Sequence, residues 1–596
     1  MKRELLALAM LGIAACGSGN GSGGNPQPED NGSLDEAPAG KPPALKIDCR
    51  HFGSGRDIQV GNPQPESGPA ILQFASLGEV DWNQLAAGDT VRIFWRSEPY
   101  REKILIRGQG TAEQPIRLCG VPGPAGQLPA ISGQDATSRP DLDFGDIQYG
   151  MEDLGVVTIY HRDYYQRPEH IVIEGLKITD TLGGEGRVDE DEFHYTATNG
   201  QYRPYLGGAS CLRVQEGRAI TVRGNELSNC GNGLFILSRP PESQMARDIL
   251  VEGNSIHGNG ATNSYLMHNA YLQGVDFLVQ ANRFGEGRPG SMGGNLKMRT
   301  AGDVVRYNFF AKAARILDFV EVQDHAELVL PWRFAEYQAG GGEVSAGDEE
   351  RVAAAWAAYQ KTYVYGNVIL NQGPGASGSV VHYSYDNVQE DRRPGTLYFY
   401  NNTVVLLGDF EEQALYQLVD QGPWYGNSEP GFPSGEESFA TVRAFHNVIY
   451  LGALSSGAQR SYFEFTRFRP DKLDLALGEN WISGGWDEAI PGYGQAFPGF
   501  GNRCTQYDDC TDDSATYPGG NATHHVVGAA MLREGTAAPI DLQTYLPLPG
   551  SAPLAGSAWP GELSESYQPH YQIDPASGAI SARPSLATLG AWEASF

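Results

Sequence analysis

The chain has 596 residues, of which 76 are Gly and 37 are Pro, a composition that favours a turn-rich architecture and argues against helical bundles and helical solenoids. Acidic residues outnumber basic ones by 72 to 43, so the formal net charge is -29. A surface this acidic repels nucleic acid and anionic lipid, and we expect no nucleic-acid partner. Hydrophobic residues make up 40% of the chain, which is enough apolar material for a long core.

The N-terminus, residues 1–16, has the pattern of an export signal. A charged start precedes an apolar stretch, and the tetrapeptide Ile-Ala-Ala-Cys at its end resembles the bacterial lipoprotein signal, in which the cysteine becomes lipidated. We expect a lipid anchor on Cys16, and the alternative is ordinary cleavage after Ala15. Residues 17–46 are rich in Gly, Ser, Asn, Pro and acid, as a flexible tether would be. The predicted location is the bacterial outer membrane or cell surface, with the membrane contacted through the anchor only.

Six further cysteines, an even number, suit an oxidising compartment and predict disulfides rather than a zinc site. Local spacing favours the pairs Cys49–Cys119, Cys211–Cys230 and Cys504–Cys510. The loop from Cys504 to Asp513 also contains four carboxylates that could ligate Ca²⁺, although an exposed acidic loop closed by a disulfide is the favoured interpretation. Ca²⁺ is therefore the one cofactor left open, and no other is expected.

Short runs rich in Val, Ile, Phe and Tyr recur along the chain, and each is followed by a turn with Asn. The seven turn residues are Asn225, Asn254, Asn282, Asn308, Asn367, Asn402 and Asn447. The first four are separated by 29, 28 and 26 positions, and such a period indicates a solenoid. Because Asn tolerates the left-handed backbone conformation, we expect these residues at equivalent sharp corners. The predicted fold is all-β, a single-stranded right-handed parallel β-helix over 47–596.

Segments at both ends resemble a known superfamily. The stretches at 87–91, 100–103 and 110–116 (AGDTV, YREK and GTAEQPI) look like the opening coils of pectate-lyase-like β-helix proteins. The segments at 550–556 and 583–593 are similar to the terminal coil and cap of its secreted members. The resemblance implies the β-helix fold and a polysaccharide partner. It leaves the activity open, because the superfamily holds lyases, glycoside hydrolases, esterases, epimerases and noncatalytic adhesins.

One long gap interrupts the repeats. Asn308 and Asn367 are 59 positions apart, and the segment 349–360 between them is rich in Ala. Asp348 stands immediately before this segment, where an acidic residue can cap a helix. We predict an insertion at about 325–360 that contains one helix and covers a cleft.

The middle coils carry the most informative side chains. Alternation of apolar and polar residues places Lys297 and Arg299 on the outer face of one predicted strand. Tyr271 and Gln273 have the same alternation one coil earlier. Both strands have the same offset from their Asn corners, so we expect Tyr271 beside Lys297 and Gln273 beside Arg299. Neighbouring parallel strands lie about 4.8 Å apart, which brings these groups within reach of one bound sugar.

Other residues complete the predicted site. Those assigned to substrate binding are Asn269, Gln273, Arg315, Asp318 and Arg213. Asp318 is expected to face outward in the next coil, whereas Arg213 is expected to fall off register by one. His268 has the parity of the inward residues, so a core or corner histidine is at least as good an interpretation as a catalytic one.

Cleavage of uronic-acid polysaccharides by β-elimination needs a base, a cation for the carboxylate and an acid for the leaving oxygen. We expect Lys297 to be the base, because the adjacent Arg299 would lower its pKa. Arg299 would neutralise the uronate, and Tyr271 or His268 would protonate the leaving oxygen. The alternative for the cation pair is a solvated face of an exposed strand. The predicted function is an acidic-polysaccharide lyase acting as a monomer.

Two other functions stay open at this stage. A glycoside hydrolase needs two carboxylates flanking a bond, and Asp318 with Asp276 or Glu321 is the available pair. A noncatalytic glycan-binding or adhesive solenoid would hold sugar through exposed aromatic and cationic side chains without chemistry. Convergence of Tyr271, Lys297 and Arg299 in one concave cleft would favour an enzyme over that alternative, and their separation by bulky walls would not.

Overall fold

The computed structural model describes residues 47–593 apart from 65, 146–149, 185–191, 372–377, 385, 408–411, 420–439, 453–461, 468–472, 484–525, 528–531, 536, 550–553, 555–558 and 560–562. The predicted anchor Cys16, the tether at 17–46 and the predicted pair Cys504–Cys510 therefore lie outside the described residues. Within them, no helix has the length and apolar character that crossing a membrane requires.

Short strands make up most of the described chain. In the first half they are β1 Asp57–Val60, β2 Ile71–Phe74, β3 Thr90–Phe94, β4 Ile104–Ile106, β5 Ile116–Val121, β6 Ala130–Ser132, β7 Ala136–Thr137, β8 Gly155–Ile159, β9 Glu169–Glu174, β10 Lys177–Thr181, β11 His194–Thr196, β12 Tyr202–Pro204, β13 Ser210–Val214, β14 Gly217–Arg223, β15 Glu226–Cys230, β16 Asn232–Ile236, β17 Ala246–Glu252, β18 Ser255–His257 and β19 Ala270–Gln280. In the second half they are β20 Arg283–Phe284, β21 Gly294–Arg306, β22 Phe309–Phe310, β23 Arg315–Phe319, β24 Lys361–Tyr365, β25 Val368–Asn371, β26 Gly378–Ser384, β27 Gly395–Tyr400, β28 Thr403–Leu406, β29 Glu412–Val419, β30 Ala440–Phe445, β31 Val448–Leu451, β32 Tyr462–Arg467, β33 Leu473–Leu477, β34 Asn480–Ser483, β35 Val526–Val527, β36 Leu532–Gly535, β37 Tyr571–Ile573 and β38 Ile580–Ala582.

These strands stack in parallel, coil upon coil. One sheet consists of β6, β10, β15, β18, β20, β22, β25, β28, β31, β34 and β36. The strands of the other two faces merge into one larger sheet, because β19 and β21 run without a break from one face to the next. Small antiparallel pairings, β11 with β12 and β37 with β38, lie outside the coils. The predicted all-β solenoid, a parallel β-helix, is confirmed.

The core of the solenoid is a continuous column of aliphatic and aromatic side chains. It includes Leu272 of β19, Met298 of β21 and Leu317 of β23, all without exposed surface. Alternate residues of the same strands therefore face away from the core. Two of the predicted disulfides, Cys49–Cys119 and Cys211–Cys230, are formed.

The Asn corners form a ladder of side chains inside the solenoid. The backbone N–H of each Asn donates to the side-chain oxygen of the Asn in the next coil, at 2.9 to 3.0 Å. The ladder consists of Asn225, Asn254, Asn282, Asn308, Asn367, Asn402, Asn447 and Asn480. The predicted equivalence of the corners is confirmed, and Asn480 extends the series. Each buried amide thus satisfies backbone groups that the turn would otherwise leave without partners.

The reason given for these Asn residues was wrong. The left-handed backbone conformation belongs to the residue before the Asn at all seven predicted corners, with φ between 49° and 66°. That position is Gly in three of them, where the conformation carries no steric cost. Asn is required at the corner for its amide, which hydrogen-bonds along the stack, and the preceding residue makes the bend.

The insertion between β23 and β24 contains two helices, α1 Pro331–Ala339 and α2 Asp348–Tyr359. The predicted helix is α2, whereas α1 was not predicted. The predicted cap was wrong, because Asp348 lies inside the first turn and its carboxylate accepts from the backbone N–H of Ser345 at 2.6 Å. The helices pack in one apolar cluster with Val275 of β19 and Ala301 of β21, so the insertion covers the outer face of the middle coils.

Candidate functional site

The predicted register in the middle coils is confirmed. β19 and β21 pair in parallel with Tyr271 beside Lys297 and Gln273 beside Arg299. All four side chains face away from the apolar core, because the intervening residues fill it. The sequence therefore predicted the arrangement of the central residues from alternation and corner spacing alone.

The row of outward-facing side chains that contains Tyr271 and Lys297 continues over neighbouring coils. In order, its members are Arg213, Phe235, Tyr271, Lys297, Asp318 and His382. The prediction that Arg213 falls off register by one was wrong, since Phe235 occupies the strand between Arg213 and Tyr271. Arg213 is buried with its guanidinium 4.6 Å from the Phe235 ring centroid, and it donates to the Gln215 side chain. It lies in the row without touching the ion pairs around Lys297.

Lys297 and Arg299 face outward but are not exposed. The side chain of Lys297 retains 7% of its accessible surface and that of Arg299 retains 1%. The interpretation as a solvated face of an exposed strand is therefore wrong. The segment around Asp386, between β26 and β27, supplies a carboxylate that reaches both cations.

Lys297 sits between two carboxylates. Its Nζ lies 3.0 Å from Asp318 Oδ2 and 2.6 Å from Asp386 Oδ2. Desolvation would lower the pKa of Lys297, and Arg299 acts in the same direction, but Asp318 and Asp386 outweigh both and raise it. The expected lowering of the Lys297 pKa was wrong because the sequence revealed neither Asp386 nor the burial of Asp318 against the Lys297 ammonium. Lys297 is a cation at neutral pH.

Arg299 connects the phenol of Tyr271 to a buried acid. Its Nε donates to Tyr271 Oη at 2.9 Å, and its Nη1 lies 2.7 Å from Glu321 Oε1. Its Nη2 lies 3.3 Å from Asp386 Oδ2. Gln273 makes a longer contact to the same phenol oxygen at 3.4 Å and donates to Asp324 Oδ2 at 2.9 Å. The phenol oxygen therefore accepts from the guanidinium, an arrangement that stabilises negative charge on that oxygen.

Glu321 fixes the segment that carries Asp386. It is fully buried, and its carboxylate accepts the backbone N–H groups of Asp386, Asn387 and Val388 at 2.7, 2.9 and 3.0 Å. Together with the Arg299 contact, these bonds use the carboxylate fully. Nothing in the sequence pointed to Asp386, because it reaches the site from a turn far along the chain, outside the alternation of the strands.

Asp318 lies at the other end of the ion-pair network. Its Oδ1 is 2.6 Å from His382 Nδ1, and Arg315 Nη1 is 3.6 Å from its Oδ2. Burial would raise the pKa of Asp318, but Lys297 and His382 outweigh it and hold the pKa well below its usual range. Asp318 is thus an ionised, buried carboxylate. His382 was not predicted, although continuing the alternation into β26 would have placed it beside Asp318.

Two residues from the predicted site have structural partners. His268 Nδ1 accepts the backbone N–H of Gly294 at 2.9 Å, and the His268 ring meets Tyr271 edge-on at 5.6 Å between centroids. Burial lowers the pKa of His268 to about 3, so this imidazole is neutral. Its neutral state and its backbone partner support the interpretation of His268 as a core or corner histidine. Asn269 is buried in a second amide ladder, where it accepts from Asn259 at 3.0 Å and donates to Asn295 at 2.7 Å.

Metal ligands are not assembled in the part of the chain that the structure describes, where no three His, Cys, Asp or Glu side chains are grouped to hold an ion. The acidic loop at 504–513, for which Ca²⁺ was left open, lies outside those residues. Around Lys297 the carboxylates are instead neutralised by Lys and Arg.

No family model matches the sequence, and no curated protein matches it. Among solved structures, the chain is similar to an alginate lyase from Paenibacillus sp. str. FPU-7, with 11% identity and a TM-score of 0.32 over 67% of this chain and 90% of that one. It is similar to pectate lyase Pel9A, with 8% identity and a TM-score of 0.32 over 91% and 97%. It is also similar to a mannuronic acid specific polysaccharide family 6 lyase from human gut microbiota, with 12% identity and a TM-score of 0.32 over 67% and 76%. At this level of likeness, the function has to be argued from the side chains of the site.

Proposed function

We propose that the protein cleaves uronic-acid-containing polysaccharides by β-elimination. The observation that carries this proposal is the contact between Arg299 Nε and Tyr271 Oη, made directly beside the Lys297 ammonium. A proton-transferring oxygen stands next to two fixed positive charges in this arrangement. Elimination at C5 of a uronate requires this combination, because the proton becomes acidic only when the adjacent carboxylate is neutralised.

The roles of the two cations follow from their ionisation. Lys297 is held protonated by Asp318 and Asp386, so it cannot accept the C5 proton. Lys297 and Arg299 instead bind the sugar carboxylate and stabilise the negative charge that develops when C5 loses its proton. Asp318 and Glu321 hold the two cations in place from the protein side.

Tyr271 then transfers the proton from C5 to the leaving oxygen. The Tyr271 oxygen, in its deprotonated form, takes the proton from C5, and the electron pair of that C–H bond forms the C4–C5 double bond as the C4–O4 bond breaks. The proton now on Tyr271 passes to O4, the leaving oxygen. Tyr271 is only partly buried, whereas Lys297 and Arg299 lie beneath the surface, so the phenol is the member of the trio that can meet substrate first. His268, being neutral and bonded to Gly294, positions the Tyr271 ring.

Glycoside hydrolysis is a weaker proposal at these residues. Its general acid must be a carboxylic acid whose pKa is raised, but Asp318 is held ionised. The carboxylate oxygens of Glu321 pair with Arg299 and accept hydrogen bonds from three backbone N–H groups, so they are not available to a glycosidic bond. Asp276 does have a pKa raised to about 7, by burial and the nearby Asp248. The charged groups that act on it are Asp248, Arg247, Asp303 and Glu242, and Asp318 is not among them.

Noncatalytic glycan binding is the second candidate, and the observation that favours it is the ion pairing of Lys297 with Asp318 and Asp386. A Lys297 that stays protonated takes no proton from the sugar, so it can bind an anionic sugar without reacting with it. The test is ultraviolet absorbance after incubation with alginate, pectate, chondroitin and heparin. β-Elimination produces an unsaturated uronate that absorbs, whereas hydrolysis and simple binding produce no such signal. A flat absorbance with every polymer, together with measurable binding to one of them, would replace the lyase by a binding module.

Variants of Lys297 separate its two possible roles. As a cation only, it should tolerate Lys297→Arg with reduced but detectable product formation, while Lys297→Met abolishes product. A base role predicts that both variants are inactive even when they still bind polymer. Equal loss in both folded variants would restore Lys297 as the base in place of Tyr271.

We further propose that the protein acts at the bacterial surface as a lipoprotein anchored through Cys16. The support is the signal-like start followed by a polar tether in the sequence. Metabolic labelling with a fatty acid analogue should mark the wild type and not Cys16→Ala. Equal labelling of the two would refute the anchor without affecting the lyase proposal.

A further inference from the structure

Three cations converge on the carboxylate of Asp386. Lys297 Nζ and Arg299 Nη2 lie 2.6 and 3.3 Å from its Oδ2, and Arg315 Nη1 lies 3.9 Å from its Oδ1. The Asp386 side chain retains 25% of its accessible surface, compared with 7% for Lys297 and 1% for Arg299. Asp386 is therefore more exposed than Lys297 and Arg299 and stands between these two buried cations and solvent.

The charges show what Asp386 contributes. Lys297 is already paired with buried Asp318, and Arg299 with buried Glu321. Arg315, half-exposed, brings a third positive charge near Asp386. With the Tyr271 hydroxyl counted as uncharged, the three positive and three negative side chains thus balance only when Asp386 is included. Without it, the group would hold one excess positive charge, which is the charge that a single bound carboxylate neutralises.

The backbone beneath Asp386 does not need to move for the side chain to leave. Glu321 holds the N–H groups of Asp386, Asn387 and Val388, which fixes the turn. Rotation of the Asp386 side chain toward solvent would empty the space beside Lys297 and Arg299. Once the Asp386 carboxylate has rotated away, the Lys297 and Arg299 cations form a binding position for the carboxylate of another molecule.

We propose that Asp386 is an internal occupant of a carboxylate-binding subsite, that the carboxylate of a uronic acid residue displaces it, and that this competition sets the affinity and selectivity of the site for uronate sugars. The proposal rests on the lyase function for the identity of the ligand as a polyuronate. In the sugar-free state the Asp386 carboxylate neutralises the positive charge that Asp318 and Glu321 leave uncompensated around Lys297 and Arg299. In the bound state one carboxylate replaces another, so a neutral sugar gains nothing from the exchange.

The test is calorimetric binding of a purified galacturonate hexamer and a mannuronate hexamer, with the methyl-esterified galacturonate hexamer as the uncharged probe. All proteins carry Tyr271→Phe so that no probe is consumed. Asp386→Asn keeps the shape of the side chain and removes the competing charge. It should lower the Kd for at least one acidic hexamer by about tenfold and leave the Kd for the ester unchanged. The matched control is Glu336→Gln, which removes one negative charge from exposed α1 of the insertion and should leave every Kd within about twofold.

Asp386→Ser serves as a second variant, and thermal unfolding checks that both are folded. An unchanged or higher Kd for both acidic hexamers in the Asn and Ser variants would overturn the proposal. An equal decrease in Kd for the esterified probe would also overturn the proposal, as would a failure of all the proteins to bind any of the hexamers. Tighter binding by the Asp386 variants, with no ultraviolet product from the wild-type protein that retains Tyr271, would remove the lyase function and leave the carboxylate subsite standing. Product formation without tighter binding would do the reverse.

Discussion

Replacing Lys297 should destabilise the protein strongly, although its side chain lies outside the solenoid core. The ammonium is buried against Asp318, whose side chain retains 1% of its accessible surface. Lys297→Met fills the space with an apolar chain of similar length but leaves the Asp318 carboxylate buried without its principal cation. Removing one partner of a buried ion pair costs about 3–5 kcal/mol.

The assay is urea unfolding of wild type, Lys297→Met, Asp318→Asn and the double variant, followed by circular dichroism. Each single variant should lose about 3–5 kcal/mol, while the double variant should lose less than the sum, because no uncompensated charge then remains. The coupling energy from this cycle reports the pair itself. Additive losses, or a Lys297→Met protein as stable as the wild type, would refute the account of Lys297 as a buried, paired cation.

Three further predictions concern the Asn ladder, the ionisation of Asp318 and the protonation state of His268. Asn282→Ala removes the acceptor for the Asn254 backbone N–H inside the ladder and should lower the free energy of urea unfolding by about 2–4 kcal/mol. The control, Gln338→Ala at an exposed position of α1, should stay within about 0.5 kcal/mol of the wild type. Equal effects of the two substitutions would argue against the ladder. The folded-state pKa of Asp318 lies below its unfolded value, so its stabilisation is present above about pH 4 and is lost as the pH falls through the folded pKa. Asp318→Asn should therefore flatten the decline in unfolding free energy below that pH, and an identical decline would contradict the assignment. His268→Gln should preserve the pH profile of product formation between pH 5 and pH 8, because the pKa of about 3 keeps this imidazole neutral throughout; a lost alkaline or acidic limb would return His268 to an acid–base role.

The solenoid could be predicted because its determinants are local and repeated. Each coil repeats a short apolar run and an Asn, and the same two signals also set the register that places Tyr271 beside Lys297. Seven corners were recognised in this way, and one more, at Asn480, follows the same pattern. The chemical reason for Asn emerged only from the structure, because the hydrogen bonds join side chains in successive coils.

The electrostatics of the site could not be predicted in this way. Asp386 lies 89 positions from Lys297 in the chain and approaches from a turn, so no periodicity relates the two. The alternation placed Asp318 correctly on the outer face but did not show that it is buried against Lys297, and nothing indicated Asp386. The neighbouring Arg299 was then the strongest charge considered, and it pointed to a lowered Lys297 pKa. The buried acids reverse that direction. The ionisation of a buried group depends on every charge packed around it, and those charges come from distant segments.

The central claim, that Tyr271 transfers the proton of an elimination reaction at this site, can be tested by one measurement. Ultraviolet absorbance should be followed for wild type and Tyr271→Phe on the polymer that gives the largest signal, with the binding of both proteins to that polymer measured in parallel. The account predicts that loss of the phenol oxygen reduces product formation by about a hundredfold or more while the Kd stays within about threefold. A Tyr271→Phe protein that forms unsaturated product at the wild-type rate would contradict it.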